Sequence, residues 1–206
     1  MRRVLPAAIL IAALALPLWA LGESRSVGDS RDTKGLLDVR KVKVQGKKRQ
    51  PRWTFVTFKA WSKGRVFDRG YANVYIDTFG DARADYYALV RSTGKKMQAL
   101  LFRDRKKRSD RRMGYLKVWK PGARKVTVRV ALGKLRIPRG RIFYRWFAQT
   151  IMTGQQCRRV CFDRVPDRGS VRMFLREPPQ PTPTPTIPTP TATPEPSASP
   201  SPTPSS

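Results

Sequence analysis

From Leu36 onward the apolar residues of this chain recur at every second position in short runs, and nowhere there does a 3.6-residue stripe persist for three turns. Val126, Val128, Val130 and Leu132 alternate with Lys125, Thr127, Arg129 and Ala131. Successive side chains of a strand point to opposite faces, so this segment reads as a half-buried strand. Val42 and Val44 stand beside Lys41 and Lys43 in the same way, and Val74 and Ile76 oppose Tyr75 and Asp77. Residues 53–60 are rich in aromatic and β-branched types, while 85–93 and 97–102 flank Gly94 as a hairpin. Residues 113–120, a Pro121-Gly122 turn and an aromatic run over 141–152 complete the set. Short strands cut by turn residues predict an all-β fold: an antiparallel β-sandwich, jelly-roll-like, of about eight strands. A closed barrel has the same pattern. Trp53, Trp61, Trp119 and Trp146 supply material for a core.

The two ends of the chain differ from this middle. Arg2 and Arg3 precede an apolar run from Val4 to Leu18, and Ala20-Leu21-Gly22 places small residues before Glu23. That is the pattern of a signal peptide over 1–22, with an uncleaved anchor as the alternative. The expected location is extracellular or in the cell envelope. Residues 23–35 are polar and read as a loose segment, and 36–178 as the basic β-sandwich domain. From 179 to 206 the chain is almost wholly Pro, Thr, Ser and Ala, with Pro-Thr repeats. Such a segment cannot build a core and is expected to be a disordered, extended spacer with Ser and Thr open to O-glycosylation.

Charge is the outlier in composition. The chain has 43 Lys+Arg against 14 Asp+Glu and no His, a formal +29. With Arg2, Arg3 and Glu195 set aside, 41 basic and 13 acidic residues leave +28 on the domain. Self-repulsion on that scale opposes folding, which points to an anionic partner; composition bias is the plainer explanation. Three runs concentrate the charge. The first, on the first hairpin, holds Arg40, Lys41, Lys43, Lys47, Lys48, Arg49 and Arg52. The second holds Arg103, Arg105, Lys106, Lys107, Arg108, Arg111 and Arg112. The third, from Lys134 to Arg145, includes Arg139 and Arg141. Lys and Arg on loops suit phosphate, sulfate or carboxylate, so the expected partner is an anionic polymer: wall polymer, acidic glycan, nucleic acid or an anionic membrane surface. No cofactor is expected.

Asp77, Asp81 and Asp85 are spaced as oxygens around a tight turn at Gly80, the outline of a Ca²⁺ loop. Phe79 stands where another acid is expected, and the simpler reading is a turn whose Asp side chains accept local backbone amides. Cys157 and Cys161 are spaced to close a small disulfide ring; two thiols without His make a poor zinc site.

Leu36-Leu37-Asp38-Val39-Arg40, Ile76-Asp77-Thr78-x-Gly80-Asp81-x3-Asp85-Tyr86 and Cys157-x3-Cys161-x-Asp163-x2-Pro166-Asp167-x-Gly169 resemble secreted β-sandwich domains of actinobacteria and similar bacteria. The resemblance covers residues 27–175 and implies a fold and a location but no activity. The leading functional expectation is a non-catalytic binding module. A polysaccharide-active enzyme would need a carboxylate pair such as Asp163 with Asp167 or Asp77 with Asp81, and both pairs have local explanations as turns. Without His, a His-based triad is excluded. An adhesion or surface-layer subunit is the third alternative.

Overall fold

Eleven strands form one strongly curled antiparallel sheet, a half-barrel, in the computed structural model, which describes residues 24–45, 49–60, 70–92, 96–105, 107–154 and 156–175. The 1–22 segment and the 179–206 tail lie outside the described residues. In chain order the strands are β1 (Arg25–Gly28), β2 (Val39–Gln45), β3 (Arg52–Thr57), β4 (Gly70–Asp77), β5 (Tyr86–Ser92) and β6 (Met97–Arg103), then β7 (Arg111–Gly122), β8 (Lys125–Arg129), β9 (Phe143–Gly154), β10 (Cys157–Val165) and β11 (Val171–Phe174). Their order across the sheet is β1-β2-β3-β8-β7-β6-β5-β4-β9-β10, with β11 beside β10 on the same edge of β9.

The all-β, antiparallel expectation holds, but eleven strands in one curled sheet replace the eight-strand, jelly-roll-like sandwich. The reason lies in β7. Its first half pairs with β6 and its second half with β8, so the sheet bends through this twelve-residue strand instead of breaking into two. A register shift leaves Met113 without an opposite residue, next to Gly114 at φ +128°. Such bulges increase twist and bend a strand. The 23–35 segment is also more ordered than expected, because Arg25–Gly28 pairs with β2 as β1.

Curling brings the two halves of the inner face together. Trp53 of β3 meets Trp146 and Tyr144 of β9 edge-on, with ring centroids 6.5 and 6.4 Å apart. Both Trp residues are fully buried, and truncating either to Ala would cost about 3–5 kcal/mol. Room for these rings comes from the in-register rows Ala72–Val90–Ala99 and Ala148–Val74–Ala88–Leu101, which alternate small and large side chains. Cys157 and Cys161 form a disulfide, Cα atoms 5.8 Å apart, across the register shift that opens β10.

The curled sheet leaves a seam where the start of β2 approaches β10. Polar bonds bridge it. Asp163 accepts the Val39 amide, Thr150 Oγ1 donates to the Leu37 carbonyl at 2.7 Å, and Thr33 Oγ1 donates to the Phe162 carbonyl at 3.0 Å.

Candidate functional site

Alternate strands of an antiparallel sheet run in the same direction, so the connections after β2, β4, β6 and β8 all leave from one end. The described residues of the three basic runs lie in three of these connections or on the strands flanking them, and so gather towards that end. The chain just before the third run touches the first: the Leu132 amide donates to the Arg49 carbonyl at 2.9 Å, and the Val130 amide to the Pro51 carbonyl at 3.2 Å. Lys47, Lys48 and Lys106 lie outside the described residues. Lys107, Arg108 and Arg139 are exposed.

Several of the other cations have local structural work. Arg105 folds back to donate through Nε and Nη2 to the Ser109 carbonyl. Arg141 donates to the Thr78 carbonyl and stacks on Phe143 at 5.1 Å. Arg112 stacks on Tyr115 at 4.4 Å, while Arg111 stands opposite Arg103 in register. Arg52 stacks at 5.7 Å on Trp119 in a groove of about 430 Å³ that also holds Lys41, Lys43 and Lys125.

A second concentration of charge emerges on the outer face of the other half of the sheet. Phe102, Tyr87, Tyr75 and Phe147 stand in register on four neighbouring strands, and successive ring centroids lie 5.1, 5.8 and 4.6 Å apart. Arg164 of β10 continues the row, its guanidinium 4.3 Å from the Phe147 ring. Next to it, Arg145 of β9 and Arg172 of β11 are directly opposite each other, both against Phe143. Like charges placed opposite each other destabilise a sheet. Among the described residues neither guanidinium pairs with a carboxylate. Asp77, in register with Arg145, turns its oxygens elsewhere. These arginines and two phenylalanines line a cleft of about 670 Å³.

Arg145 belongs to the third basic run, but Arg164 and Arg172 lie outside all three. Their signal in the sequence was alternation: Phe143, Arg145 and Phe147, like Arg172 and Phe174, recur at every second position, which sets rings and cations on one outer face.

Asp77, Asp81 and Asp85 are absorbed by their own turn. Asp77 accepts the Gly80 and Ala82 amides through its two oxygens. Asp85 Oδ2 accepts the Thr78 amide at 2.7 Å, the Thr78 hydroxyl at 2.9 Å and the Phe79 amide at 3.2 Å. Asp81 accepts the Arg83 amide at 3.1 Å. Gly80 sits at φ +77° under the Arg141 guanidinium, where a Cβ would collide.

A different set of aspartates meets at the seam. Asp32, Asp38 and Asp163 bring a carboxylate oxygen each within 4.8 Å of one another, and Asp29, Asp32 and Asp167 do the same. Asp163 is buried; burial, with the charges of Asp29 and Asp32 beside it, pushes its pKa up to about 8. Burial likewise lifts Asp29 to about 6, and Asp167 and Asp32 push in the same direction. Asp38 is raised by burial and by Asp32, against the pull of Arg31 and Lys59. The sequence pointed to Asp163 and Asp167 as a possible catalytic pair and as part of the family resemblance, to Asp38 within that resemblance alone, and to no role for Asp29 and Asp32.

No protein family, curated protein or solved structure matches this chain.

Proposed function

We propose that the chain is a non-catalytic module of the extracellular space or cell envelope that docks an anionic polymer on the outer face of its sheet. The observation that carries this reading is the opposed pair Arg145 and Arg172, set over Phe143 beside the aromatic row and without a carboxylate partner among the described residues. A guanidinium is planar and presents forked donors that match carboxylate, sulfate and phosphate; stacked on a ring, it keeps those donors in the plane facing the ligand. An anion bridging Arg145 and Arg172 removes their mutual repulsion, so ligand binding relieves a cost built into the fold. The basic connections at one end, with Arg52 and its groove, extend the positive field and steer a long ligand onto the face.

Binding to heparin, duplex DNA, polyglutamate and neutral dextran tests the reading. The three polyanions are expected to bind and dextran is not. Affinity for duplex DNA should fall steeply between about 50 and 200 mM salt, because released counterions drive the association. Replacing Arg145 and Arg172 together by Gln should weaken binding by at least about tenfold, the loss of roughly one charge-assisted contact. It should also flatten the salt slope. Absence of polyanion binding at low salt, or binding indifferent to both salt and the double substitution, would overturn the proposal.

A further inference from the structure

Five of the chain's 14 acidic residues converge on one seam of a protein that carries +29 overall. Asp29, Asp32 and Asp38 come from the end of β1 and the connection to β2, while Asp163 and Asp167 come from β10 and the turn after it. Arg164 braces that turn, donating to the Pro166, Asp167 and Gly169 carbonyls at 2.7–2.9 Å. Asp167 is thereby held towards the seam by a cation that does not neutralise its carboxylate. Among the described residues, no Lys or Arg forms an ion pair with any of the five.

Asp38 supplies the deciding observation. Its side chain is 1% exposed, and its Oδ1 is buried with no hydrogen-bond partner while its carboxylate faces Asp32 and Asp163. A buried carboxylate with an unmet oxygen is costly unless a proton or a cation answers it. Asp29 Oδ2 is a second buried oxygen that no amide or cation meets, its carboxylate lying against that of Asp163.

We propose that the seam is a calcium site in which Asp32, Asp38 and Asp163 hold one Ca²⁺ and Asp29 and Asp167 close its solvent side. All donors are oxygens, with neither His nor thiolate among them, which selects a hard cation. Oxygens within 4.8 Å of one another fit around one centre, since ligands about 2.3–2.6 Å from Ca²⁺ lie up to about 5 Å apart. Mg²⁺ demands a tighter, near-ideal octahedron, whereas Ca²⁺ accepts the irregular arrangement of carboxylates drawn from separate segments. The ion ties the β1–β2 connection to β10 across more than 120 residues of chain and so reinforces a seam that no strand ladder closes and only a few side-chain hydrogen bonds bridge. This site borders the anion-binding face through Arg164, but none of its five carboxylates belongs to that face, and it stands whether or not that face binds polymer.

The test is calorimetric titration of the full-length chain, stripped with chelator, using CaCl₂ or MgCl₂ alone and paired with thermal unfolding. The expected result is one Ca²⁺ per chain, tighter than Mg²⁺, with a rise in Tm. Asp38→Asn should weaken Ca²⁺ at least about tenfold by removing a ligand charge. Where that buried variant fails to fold, Asp32→Asn reads the same loss at an exposed position. Asp81→Asn, in the β4–β5 turn, should leave Ca²⁺ affinity unchanged. No Ca²⁺ binding at millimolar concentration, tighter binding of Mg²⁺, or a loss caused by Asp81→Asn and not by Asp32→Asn would overturn the assignment.

Discussion

The turn between β4 and β5 and the seam between β2 and β10 each gather aspartates, yet their oxygens face different things. In the turn, Asp77 and Asp85 are ringed by amides that neighbouring residues supply, and Asp81 takes one more. In the seam, carboxylates brought from opposite ends of the domain face one another, and two of their oxygens meet no donor. A carboxylate hydrogen-bonded by its own loop is complete without a ligand. One assembled from distant segments depends on what fills the space between the charges. The difference is one of contact order: short loops carry their own amides with them, and long-range convergence does not.

The largest effect expected from this comparison is calcium-linked stability. With free Ca²⁺ at about 100 times its Kd, the native state should gain about 2.7 kcal/mol. For a domain of this size that is a Tm increase of roughly 5–10 °C. The gain should be greater at pH 8 than at pH 5. Asp163 and Asp29 have folded-state pKa values of about 8 and 6, above the usual 3.8, so in chelator the folded state keeps protons that the unfolded chain has lost. Stability in chelator therefore falls as pH rises from about 4 towards 8, and Ca²⁺, which needs the carboxylates ionised, counters that fall. Differential scanning calorimetry at both pH values, with Ca²⁺ and with chelator, checks the sign; a Tm insensitive to Ca²⁺ at pH 8 breaks the contrast.

Next in size is Asp77→Ala. Two amides lose a charged acceptor, and the expected cost is about 2 kcal/mol. Denaturant unfolding should show the same loss with and without Ca²⁺, because the turn is satisfied internally. Dependence of that loss on Ca²⁺ would place the ion in the wrong cluster.

The smallest expected effect is Gly80→Ala. Its φ of +77° disfavours a Cβ by roughly 1–2 kcal/mol. The added methyl must also displace the Arg141 guanidinium, which can move as the end of a flexible side chain. The loss should therefore stay below that of Asp77→Ala by the same unfolding measurement, and binding of heparin through Arg145 and Arg172 should be unchanged.

Much of this molecule is written locally. Alternation such as Val126, Val128 and Val130 against Lys125, Thr127 and Arg129 marks β8 and its inner face, and a four-residue separation brings Cys157 and Cys161 within disulfide reach. The Asp-Gly-Asp turn is likewise legible, because its donors and acceptors are sequence neighbours. Less visible were β1, a four-residue strand in a polar stretch, and β11, an equally short continuation of the edge that β10 begins. Such strands exist because β2 and β9 offer them an edge, and no property of their own residues demands it.

By itself, the sequence determined that the chain is all-β, which faces of its main strands are apolar, where its basic runs fall and how its tight turn is closed. These depend on residues a few positions apart, through the period-two geometry of a strand and the reach of a short side chain. Only the tertiary structure decided that the strands form one curled sheet, that Arg172 stands opposite Arg145, and that five aspartates meet at the seam. Each of these depends on which strand edge pairs with which. Edge pairing follows from how the whole sheet bends through β7 to bring Trp53 onto Trp146, and that choice belongs to the packed core rather than to any single segment.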